Sequence, residues 1–378
     1  MKSFTKSVSI AFTGGGTAGH ILPGLAVVEA LKDHYAQNRV GTDHEKVAIF
    51  WICSKSALEQ NLLENHSTPF KPILSGKLRR YFSLKNLLDI FFIIGGTLQS
   101  LSILWREKPA ILFSKGGFVS LPPVVAAWFL RIPIIIHESD FDPGLTTLIT
   151  AKFAKRILIP FMESSSFYPD SCRKKLVVTG NPVRNSMKNG DKEKGLSFCR
   201  APRGMPVIFV AGGSQGAVQI NKILENCIQE LCDKFVVIHQ TGSNWTFEFE
   251  HENYRSFEYI DEYYADIAAA ADLVISRAGA GAVWEFSLLS KPMILIPLGL
   301  ESSRGDQIRN AEFFEKNNAA IVLNGKKVNT ENLKNAILSI IENDNLHKKL
   351  VNNAALLCVN NAEKLVADAI ITHLGGII

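Results

Sequence analysis

Two stretches of this sequence follow the same plan: an apolar strand, a glycine-rich loop and then a helical segment. The first contains FTGGGTAGH, between a strand at 8–12 and a helix at 22–31, and the second is IFVAGGSQGAVQINKIL, whose strand lies at 207–211. A glycine-rich turn between a buried strand and a helix can cradle a phosphate, because the first amides of the helix are exposed there. Tight turns also use glycine for steric reasons alone, so one loop does not establish a ligand. The repeat of the whole plan predicts two similar α/β domains.

Short apolar strands alternate with helical stretches along most of the chain, which is typical of parallel α/β sheets. The predicted strands are 8–12, 47–53, 111–113, 134–137, 157–159, 176–178, 207–211, 235–239, 273–276 and 293–297. Between the two sets lies KNGDKEKG at 188–195, which we interpret as a linker because it is charged and bounded by glycine. A length of 378 residues suits two domains. The segment 362–374 is predicted to form an amphipathic helix.

Composition narrows the class of protein only a little. With 47% hydrophobic and 20% charged residues the chain is an ordinary globular protein, and a net charge of +5 favours an anionic ligand or surface without naming one. The six cysteines form no C-x-x-C pair and the nine histidines form no zinc-binding motif. We therefore expect reduced thiols, a cytoplasmic protein and no metal site. The first apolar run is short and ends in glycines, unlike a signal peptide.

The segment KLRRYFSLKNLLDIFFII places basic side chains next to apolar ones. The residues concerned are Lys77, Arg79, Arg80, Phe82, Leu84 and Lys85. The uncharged run at 90–105 is shorter than the ~20 residues that a membrane span needs. The pattern suits contact with an anionic lipid surface, but the segment taken by itself favours a core-packed helix with a solvated rim.

The unusual polar residues follow the predicted strands, where ligands of open α/β sheets bind. They lie at 14–20, 114–117, 137–140, 179–184, 212–217 and 276–281. These positions predict a ligand cleft between the two domains. An NAD-dependent oxidoreductase would need an acidic residue at the end of the second strand, but that strand is followed by Ser54 and Lys55. We keep that class as a minor alternative.

Six motifs, in this order, resemble the MurG family of glycosyltransferases in peptidoglycan synthesis. They are GGGTAGHILPGLAVVEAL, HESDFDPGLT, GNPVR, GGSQGA, SRAGAGAVWE and GDQIRNA, between residues 12 and 311. The resemblance implies the GT-B fold, two Rossmann-like doubly wound domains facing a cleft. It implies that residues 1–184, joined by the C-terminal helix 355–378, form the acceptor and membrane side. It implies that residues 185–354 form the donor side.

The implied reaction is the transfer of GlcNAc from UDP-GlcNAc to the muramyl sugar of lipid I, which gives lipid II with inversion. No cofactor is implied. The protein would sit peripherally on the cytoplasmic face of the membrane, docked through 77–94, with other cell-wall enzymes as further partners and no nucleic acid. Two rivals stay open: a GT-B enzyme for another lipid acceptor, and a binding module with a decayed site.

Transfer from a nucleotide diphosphate sugar needs a cradle for the leaving diphosphate, and SRAGAGAVWE leads into a helix N-terminus that can supply one without a metal. By resemblance, Glu285 holds the ribose, the Ile260 backbone reads uracil and Gln307 reads the GlcNAc hydroxyls. The other donor-contact positions are Thr17, Ala18, Gly19, Arg184, Ser214, Gln215, Gly216, Gly279, Ala280, Gly281 and Ala282. The structural alternatives are a helix-dipole carboxylate for Glu285 and an N-cap for Ser214.

His20 is the leading candidate for the general base, because an imidazole can accept the proton of the acceptor hydroxyl near neutral pH. A loop-capping histidine is the alternative. The family commonly has H-E-Q-N where this chain has HESD, so Asp140 replaces a sugar-reading asparagine and, like Glu138, becomes an alternative base. Gly281 and Ala282 stand where larger or hydroxylated residues are usual, and Asp306 departs from the family's usual glutamine or histidine.

Overall fold

The structure, a computed structural model, describes residues 8–37, 47–77, 84–213, 216–301 and 303–375, without the side chains of 84–87. The chain divides into two compact units. The first comprises Met1–Val183 and Asn361–Ile378, and the second comprises Arg184–Asn360. Arg184 thus falls in the second unit, and the C-terminal part of the first unit begins at 361 rather than 355.

The first unit is built on a seven-stranded sheet whose paired strands are all parallel. The strands are β1 (Val8–Thr13), β2 (Val47–Cys53), β3 (Phe70–Pro72), β4 (Ile111–Ser114), β5 (Ile134–His137), β6 (Arg156–Ile159) and β7 (Leu176–Val178). Their order is β3-β2-β1-β4-β5-β6-β7. Because the order reverses between β1 and β4, the loops after these two strands flank the crevice where doubly wound sheets bind ligands.

Helices cover both faces of this sheet. They are α1 (Ala18–Gln37), α2 (Ala57–Asn65), α3 (Leu84–Glu107), α4 (Leu121–Phe129), α5 (Leu145–Thr150) and α6 (Asp170–Arg173). Alternate residues of β1 enter different core clusters, since side chains of a strand point to opposite faces. Phe12 packs with α1 residues such as Leu25, whereas Ala11 belongs to the cluster that contains Leu104 of α3 and Val124 of α4.

The second unit repeats this architecture on a six-stranded sheet of parallel pairs. Its strands are β8 (Val207–Ala211), β9 (Val236–Gln240), β10 (Tyr254–Phe257), β11 (Leu273–Ser276), β12 (Met293–Leu295) and β13 (Ile321–Val322). The order is β10-β9-β8-β11-β12-β13, so the reversal falls between β8 and β11. Its helices are α7 (Asn185–Lys188), α8 (Lys192–Cys199), α9 (Val218–Glu225), α10 (Ile228–Cys232), α11 (Tyr264–Ala270), α12 (Ala280–Leu288), α13 (Asp306–Lys316), α14 (Thr330–Ile341) and α15 (Asp344–Leu357).

The last helix, α16 (Ala362–Gly375), belongs to the first unit. Val366, Ile370 and Leu374 are buried in the same core cluster as Leu25 and Leu31 of α1. Their spacing of four residues places them on one helical face. The predicted amphipathic helix is therefore confirmed, and its apolar face completes the core of the first unit.

The prediction of two Rossmann-like doubly wound sheets is confirmed, and each predicted strand is present with ends that shift by at most two residues. Three strands were missed: β3, β10 and β13. All three lie at sheet edges. Edge strands are short and partly exposed, so they lack the continuous apolar run that marks a central parallel strand.

The predicted linker at 188–195 is wrong. The segment contains the end of α7 and the start of α8, and the Asp191 carboxylate caps α8 by accepting from the amides of Glu193 and Lys194 at 2.9 and 3.1 Å. Gly195 packs so closely on α11 that a Cβ there would overlap the Asp266 carbonyl oxygen. The glycine and the charge serve helix packing and capping.

Candidate functional site

A buried carboxylate, which the sequence analysis missed, accepts a hydrogen bond from the first glycine loop. Glu59 of α2 is 1% exposed, and its Oε1 accepts from the Gly16 amide at 2.7 Å while its Oε2 accepts from the Ser54 amide at 2.8 Å. Any Cβ at Gly15 would lie 2.5 Å from the same carboxylate. A phosphate would have to displace Glu59 to reach the Gly16 amide. This arrangement disfavours the NAD-dependent alternative.

His20 lies in the first turn of α1, which begins at Ala18, four residues earlier than the sequence indicated. Its Nδ1 lies 2.9 Å from the Thr17 hydroxyl oxygen. When Nδ1 carries the proton and donates to that hydroxyl, Nε2 holds a lone pair. The ring also lies beside the loop after β4, since a Cβ at Gly116 would be 3.8 Å from the His20 Cδ2. Thr17, Ala18 and Gly19 form the same loop-to-helix junction.

Glu138 follows β5 and organises the HESD loop. Its carboxylate accepts from the amides of Ser139, Asp140 and Gly144 at 2.9, 3.2 and 3.1 Å, and from the Thr147 hydroxyl at 2.6 Å. Bonds of this kind stabilise the ionised carboxylate and occupy its lone pairs. They favour a structural role for Glu138 over the general-base alternative. Asp140, two residues on, is half-buried.

A buried cation lies next to this loop. Lys115, after β4, is 1% exposed, and its Nζ donates to the Ser139 hydroxyl, which in turn donates to Asn181 Oδ1 at 2.9 Å. Burial lowers the pKa of Lys115 to about 8, against the opposing effect of Glu138 and Asp140. Its motif, SKGG, stood out in the sequence, but nothing there indicated that the lysine would be buried.

In the second unit, α12 begins at a glycine. Gly279 is its N-cap residue and has no side chain that could cap the helix. A Cβ at Gly279 or Gly281 would meet nothing within 4 Å among the described residues. Uncapped first-turn amides and the helix dipole favour an anion at this place. Ala280 and Ala282 belong to the same turn, so the four residues predicted for diphosphate contact lie together.

Glu285 lies one turn further along α12 and is held by Arg184. The Arg184 Nε donates to Glu285 Oε1 at 2.8 Å, and the guanidinium carbon lies 5.6 Å from the centre of the Tyr264 ring. Burial alone would lower the pKa of Arg184, but the Glu285 carboxylate outweighs this and raises it above the ordinary value. The guanidinium therefore stays charged and fixes one oxygen of the carboxylate.

The loop after β8 and the predicted uracil-reading position are linked by Gln240, a residue that the sequence analysis missed. Gln240, at the end of β9, donates through Nε2 to the Gly213 carbonyl at 2.8 Å and accepts through Oε1 from the Ile260 amide at 3.2 Å. Gly216 has φ +74°, and a Cβ there would overlap the Thr241 carbonyl oxygen. Ser214 and Gln215 lie outside the described residues. The sequence feature that could have identified Gln240 is a polar residue at the end of a buried strand.

Gln307 lies in the first turn of α13, and its Oε1 accepts from the Leu298 amide at 3.0 Å. Asp306, the first residue of the helix, lies 3.6 Å from the Arg304 Nε. The glutamine side chain is thus tied to the loop after β12. Among the described residues, no group of three or more His, Cys, Asp or Glu side chains is arranged to hold a metal.

The predicted lipid-contact segment leads into α3. Lys77 is exposed, Arg79, Arg80 and Phe82 lie outside the described residues, and Leu84 and Lys85 open the helix without described side chains. The uncharged run at 90–105 lies within α3, which is longer than that run. Within the described chain, one window of 20 residues, Leu88–Glu107, has the length and mean hydropathy (1.5) of a span, and 17% of it is buried.

One face of α3 is nevertheless packed on the first unit. Gly96, Ser100 and Leu104 are buried at a spacing of four residues, and a Cβ at Gly96 would overlap the Leu74 carbonyl oxygen. The apolar stripe on another face is exposed and includes Leu88, Phe91, Ile94, Leu98 and Trp105.

Two family models match the chain. The glycosyltransferase family 28 N-terminal domain matches residues 10–159, and the glycosyltransferase family 28 C-terminal domain matches residues 207–368. The first match lies within the first unit, and the second covers most of the second unit and ends in α16. Each includes one of the two glycine-rich loops.

Relatives match along most of the chain. A Treponema denticola protein, named UDP-N-acetylglucosamine–N-acetylmuramyl-(pentapeptide) pyrophosphoryl-undecaprenol N-acetylglucosamine transferase, is 45% identical over 341 residues, covering 84% of this chain and 84% of the relative. A Bacillus thuringiensis protein of the same name, numbered 3, is 39% identical over 367 residues, covering 97% and 98%.

Among solved structures, MurG of Acinetobacter baumannii superposes with a TM-score of 0.71 at 23% identity, covering 97% of this chain and 99% of the other. A UDP-GlcNAc 2-epimerase from Neisseria meningitidis reaches 0.66 at 14% identity, covering 97% and 100%. These two similarities concern the fold, which is GT-B. Because it is 39–45% identical to the two relatives over most of its length, the chain belongs to the MurG family of glycosyltransferases.

Proposed function

We propose that this chain transfers GlcNAc from UDP-GlcNAc to the muramyl sugar of undecaprenyl-diphospho-MurNAc-pentapeptide, which converts lipid I into lipid II. The names of relatives 39–45% identical to it support this assignment. The structural observation that carries it is the uncapped start of α12 with Glu285 one turn away, held by Arg184. The helix start suits a diphosphate, and the carboxylate suits a sugar diol.

On the donor side, the first-turn amides of α12 would hold the diphosphate and stabilise the charge that builds as UDP leaves. Glu285 would accept from the ribose hydroxyls. The Ile260 amide already bonds Gln240, so we expect the Ile260 carbonyl to read the uracil imide N–H. Gln307 would read the GlcNAc hydroxyls, and Arg184 would hold Glu285 rather than contact phosphate directly.

On the acceptor side, His20 would act as the general base through Nε2, with Nδ1 oriented by Thr17. The acceptor hydroxyl gives its proton to His20, its oxygen bonds to the anomeric carbon, and the bond from that carbon to the β-phosphate oxygen breaks with its electrons leaving on UDP. This single displacement inverts the anomeric centre. Asp140 is proposed to hold a sugar hydroxyl as an acceptor.

We also propose that the enzyme docks peripherally on the cytoplasmic face of the membrane through α3 and the basic residues before it. The exposed apolar stripe supports burial in the headgroup region, and the packed face with Gly96, Ser100 and Leu104 argues against a span. A polyprenyl-linked acceptor would then reach the enzyme from the bilayer.

One assay tests the proposed reaction. Purified enzyme is mixed with UDP-GlcNAc and a short-chain, water-soluble lipid I analogue, and both UDP release and the disaccharide product are measured. We expect product with an inverted anomeric centre and UDP in equal amounts, and little UDP without acceptor. Efficient transfer to a different polyprenyl-linked sugar, with none to the lipid I analogue, would contradict the proposal.

A further inference from the structure

Lys115 is a cation in the first unit that the proposed reaction does not use, yet it is almost completely buried. Its ammonium donates to the Ser139 hydroxyl, and Ser139 donates to Asn181 Oδ1 at 2.9 Å. These three residues, the Lys115 cluster, join the ends of β4 and β5 to the segment after β7. A buried charge is costly unless opposite charge compensates it, so the partners of Lys115 matter.

The compensating charges are the two carboxylates of the HESD loop. Glu138 and Asp140 both stabilise the charged form of Lys115, whereas burial opposes it. His137, between the strand and the loop, is buried, and burial together with the Lys115 charge keeps its pKa well below 6.5. His137 is therefore neutral at neutral pH, and the groups that stabilise the charge of Lys115 are Glu138 and Asp140.

The two anions differ in their dependence on Lys115. Glu138 accepts four hydrogen bonds from its own loop and from Thr147 of α5, so those groups hold it in place. Asp140 directly follows the residue that Lys115 binds, and its amide donates to Glu138 at 3.2 Å. Without the cation, two neighbouring carboxylates would repel each other across a poorly solvated loop.

We propose that Lys115 is a positioning residue that anchors the HESD loop through Ser139 and balances the charge of Asp140, so that an aspartate can face the acceptor sugar. Lys115 acts through the loop, since its Nζ is bonded inside the unit and does not reach solvent. The structural part of this proposal stands by itself. Its kinetic part rests on the proposed function.

The test is a double-mutant cycle in the full chain with Lys115→Met and Asp140→Asn. Unfolding temperature is measured by calorimetry, and kcat and KM are measured with the lipid I analogue. Lys115→Met alone is expected to lower Tm on the order of 10 °C and kcat/KM about 100-fold, because it leaves Asp140 uncompensated. In the Asp140→Asn background the same substitution should cost less than half of that Tm shift and about 10-fold or less in kcat/KM.

Two matched variants control for the type of change. Lys152→Met makes the same substitution at an exposed lysine of the first unit and should change neither quantity. Asp170→Asn, which neutralises an exposed carboxylate on α6, should not reduce the cost of Lys115→Met. UDP-GlcNAc affinity, measured by calorimetry, should stay within about twofold in Lys115→Met, Lys152→Met and Asp170→Asn, because the proposed diphosphate- and ribose-binding residues lie in the second unit.

Each outcome of the double-mutant cycle either supports the proposal or overturns it. If Lys115→Met costs the same in the parent and in the Asp140→Asn background, Lys115 acts on substrate directly or only fills space, and the proposal is overturned. Rescue by Asp170→Asn would overturn it as well. If Lys115→Met does not fold, the double variant with Asp140→Asn must fold, and its failure would count against the proposal. If neither the parent nor any variant transfers to the lipid I analogue, the proposed function fails while the Tm cycle still decides this inference.

Discussion

The carboxylate of Glu285 is held in place before any ligand arrives. Arg184 fixes Oε1 at 2.8 Å, and Tyr264 supports the guanidinium. The side chain is still 13% exposed, so it is accessible near the start of α12 without being fully solvated. A carboxylate that is already ordered loses little conformational entropy when it binds a diol, which favours affinity.

Removal of this carboxylate should weaken donor binding. Glu285→Ala is expected to cost ~1–3 kcal/mol in UDP-GlcNAc affinity, because the ribose hydroxyls lose their acceptor and Arg184 loses its partner. Titration calorimetry in EDTA measures this and checks that donor binding needs no metal. Glu252→Ala, at an exposed glutamate before β10 of the same unit, is the control. Unchanged affinity in a folded Glu285→Ala protein would remove the ribose assignment.

A second prediction concerns the catalytic role of the His20 side chain. His20→Ala should lower kcat by about 10²–10⁴ and leave donor affinity nearly unchanged, as expected for loss of a general base. Thr17→Val should produce a smaller loss, since it removes only the group that orients Nδ1. A larger loss from Asp140→Asn than from His20→Ala would assign the base to the HESD loop instead.

Residue types at strand ends indicated where the chemistry lies, but not which side chains are buried. Motif order brought out Arg184 and Glu285, and the structure places them 2.8 Å apart. Glu59 and Gln240 were missed, and the burial of Lys115 was not predicted, because these features depend on partners up to 43 residues away in sequence. Such pairings depend on tertiary packing, which no local pattern encodes.

At the level of elements, α3 shows how a glycine can serve packing. Glycine in a helix interior costs about 1 kcal/mol relative to alanine. In the structure Gly96 allows α3 to approach the chain at Leu74 and Pro122 of α4. Gly96 is therefore what lets the helix pack this closely. The three edge strands were missed for a similar reason: tertiary contacts, rather than the local sequence pattern, determine where they form.

The exposed stripe of α3 predicts a measurable lipid affinity. Leu98 is 62% exposed on the stripe, and Leu98→Ser should weaken binding to anionic vesicles about 10-fold, because it removes an apolar side chain from the proposed interface. Leu356→Ser changes an 83% exposed leucine on α15 of the other unit and should have no effect. Binding is measured by vesicle pelleting.

The basic residues before and at the start of α3 predict how this binding responds to salt. Lys77, Arg79, Arg80 and Lys85 are each expected to add ~1 kcal/mol of attraction to an anionic surface, which salt screens. Reversal of Arg79 and Arg80 to glutamate should abolish pelleting at low salt and spare turnover of the water-soluble analogue. Pelleting equal to that of the parent would place the docking surface elsewhere.

At the scale of the whole molecule, the two units use one strand order around the same kind of reversal point. The repeated strand–loop–helix plan predicted two similar α/β domains, and the doubly wound order was implied by the family resemblance. The predicted linker turned out to hold the ends of two helices, since glycine and charge mark helix ends and close packing as well as linkers.

A buried histidine makes the second unit sensitive to acid. Burial lowers the pKa of His239 from 6.5 to about 4, and its ring contacts Tyr254 and Asn221 at 2.9 and 3.1 Å. Between these two pH values the unfolded chain binds a proton that the folded one does not, so stability falls as pH falls. From about pH 6.5 to about pH 4.5 we expect a loss of roughly 2–3 kcal/mol from this group.

Hydrogen exchange of β9 and α9 measures this loss in the full chain. His239→Gln, which keeps polar atoms but does not titrate, should show a flatter pH dependence than the parent. Identical slopes would mean that His239 is not the group responsible.

The placement of α16 has a consequence for synthesis on the ribosome. The core of the first unit includes Val366 and Ile370, and these residues are translated only after the whole second unit, Arg184–Asn360. At about 5–20 residues per second, this takes about 10–40 s. During that time the nascent first unit exposes the apolar groove on α1 that α16 later covers. The unit that is translated first is thus the last to be completed, and it is the one that a chaperone would have to protect.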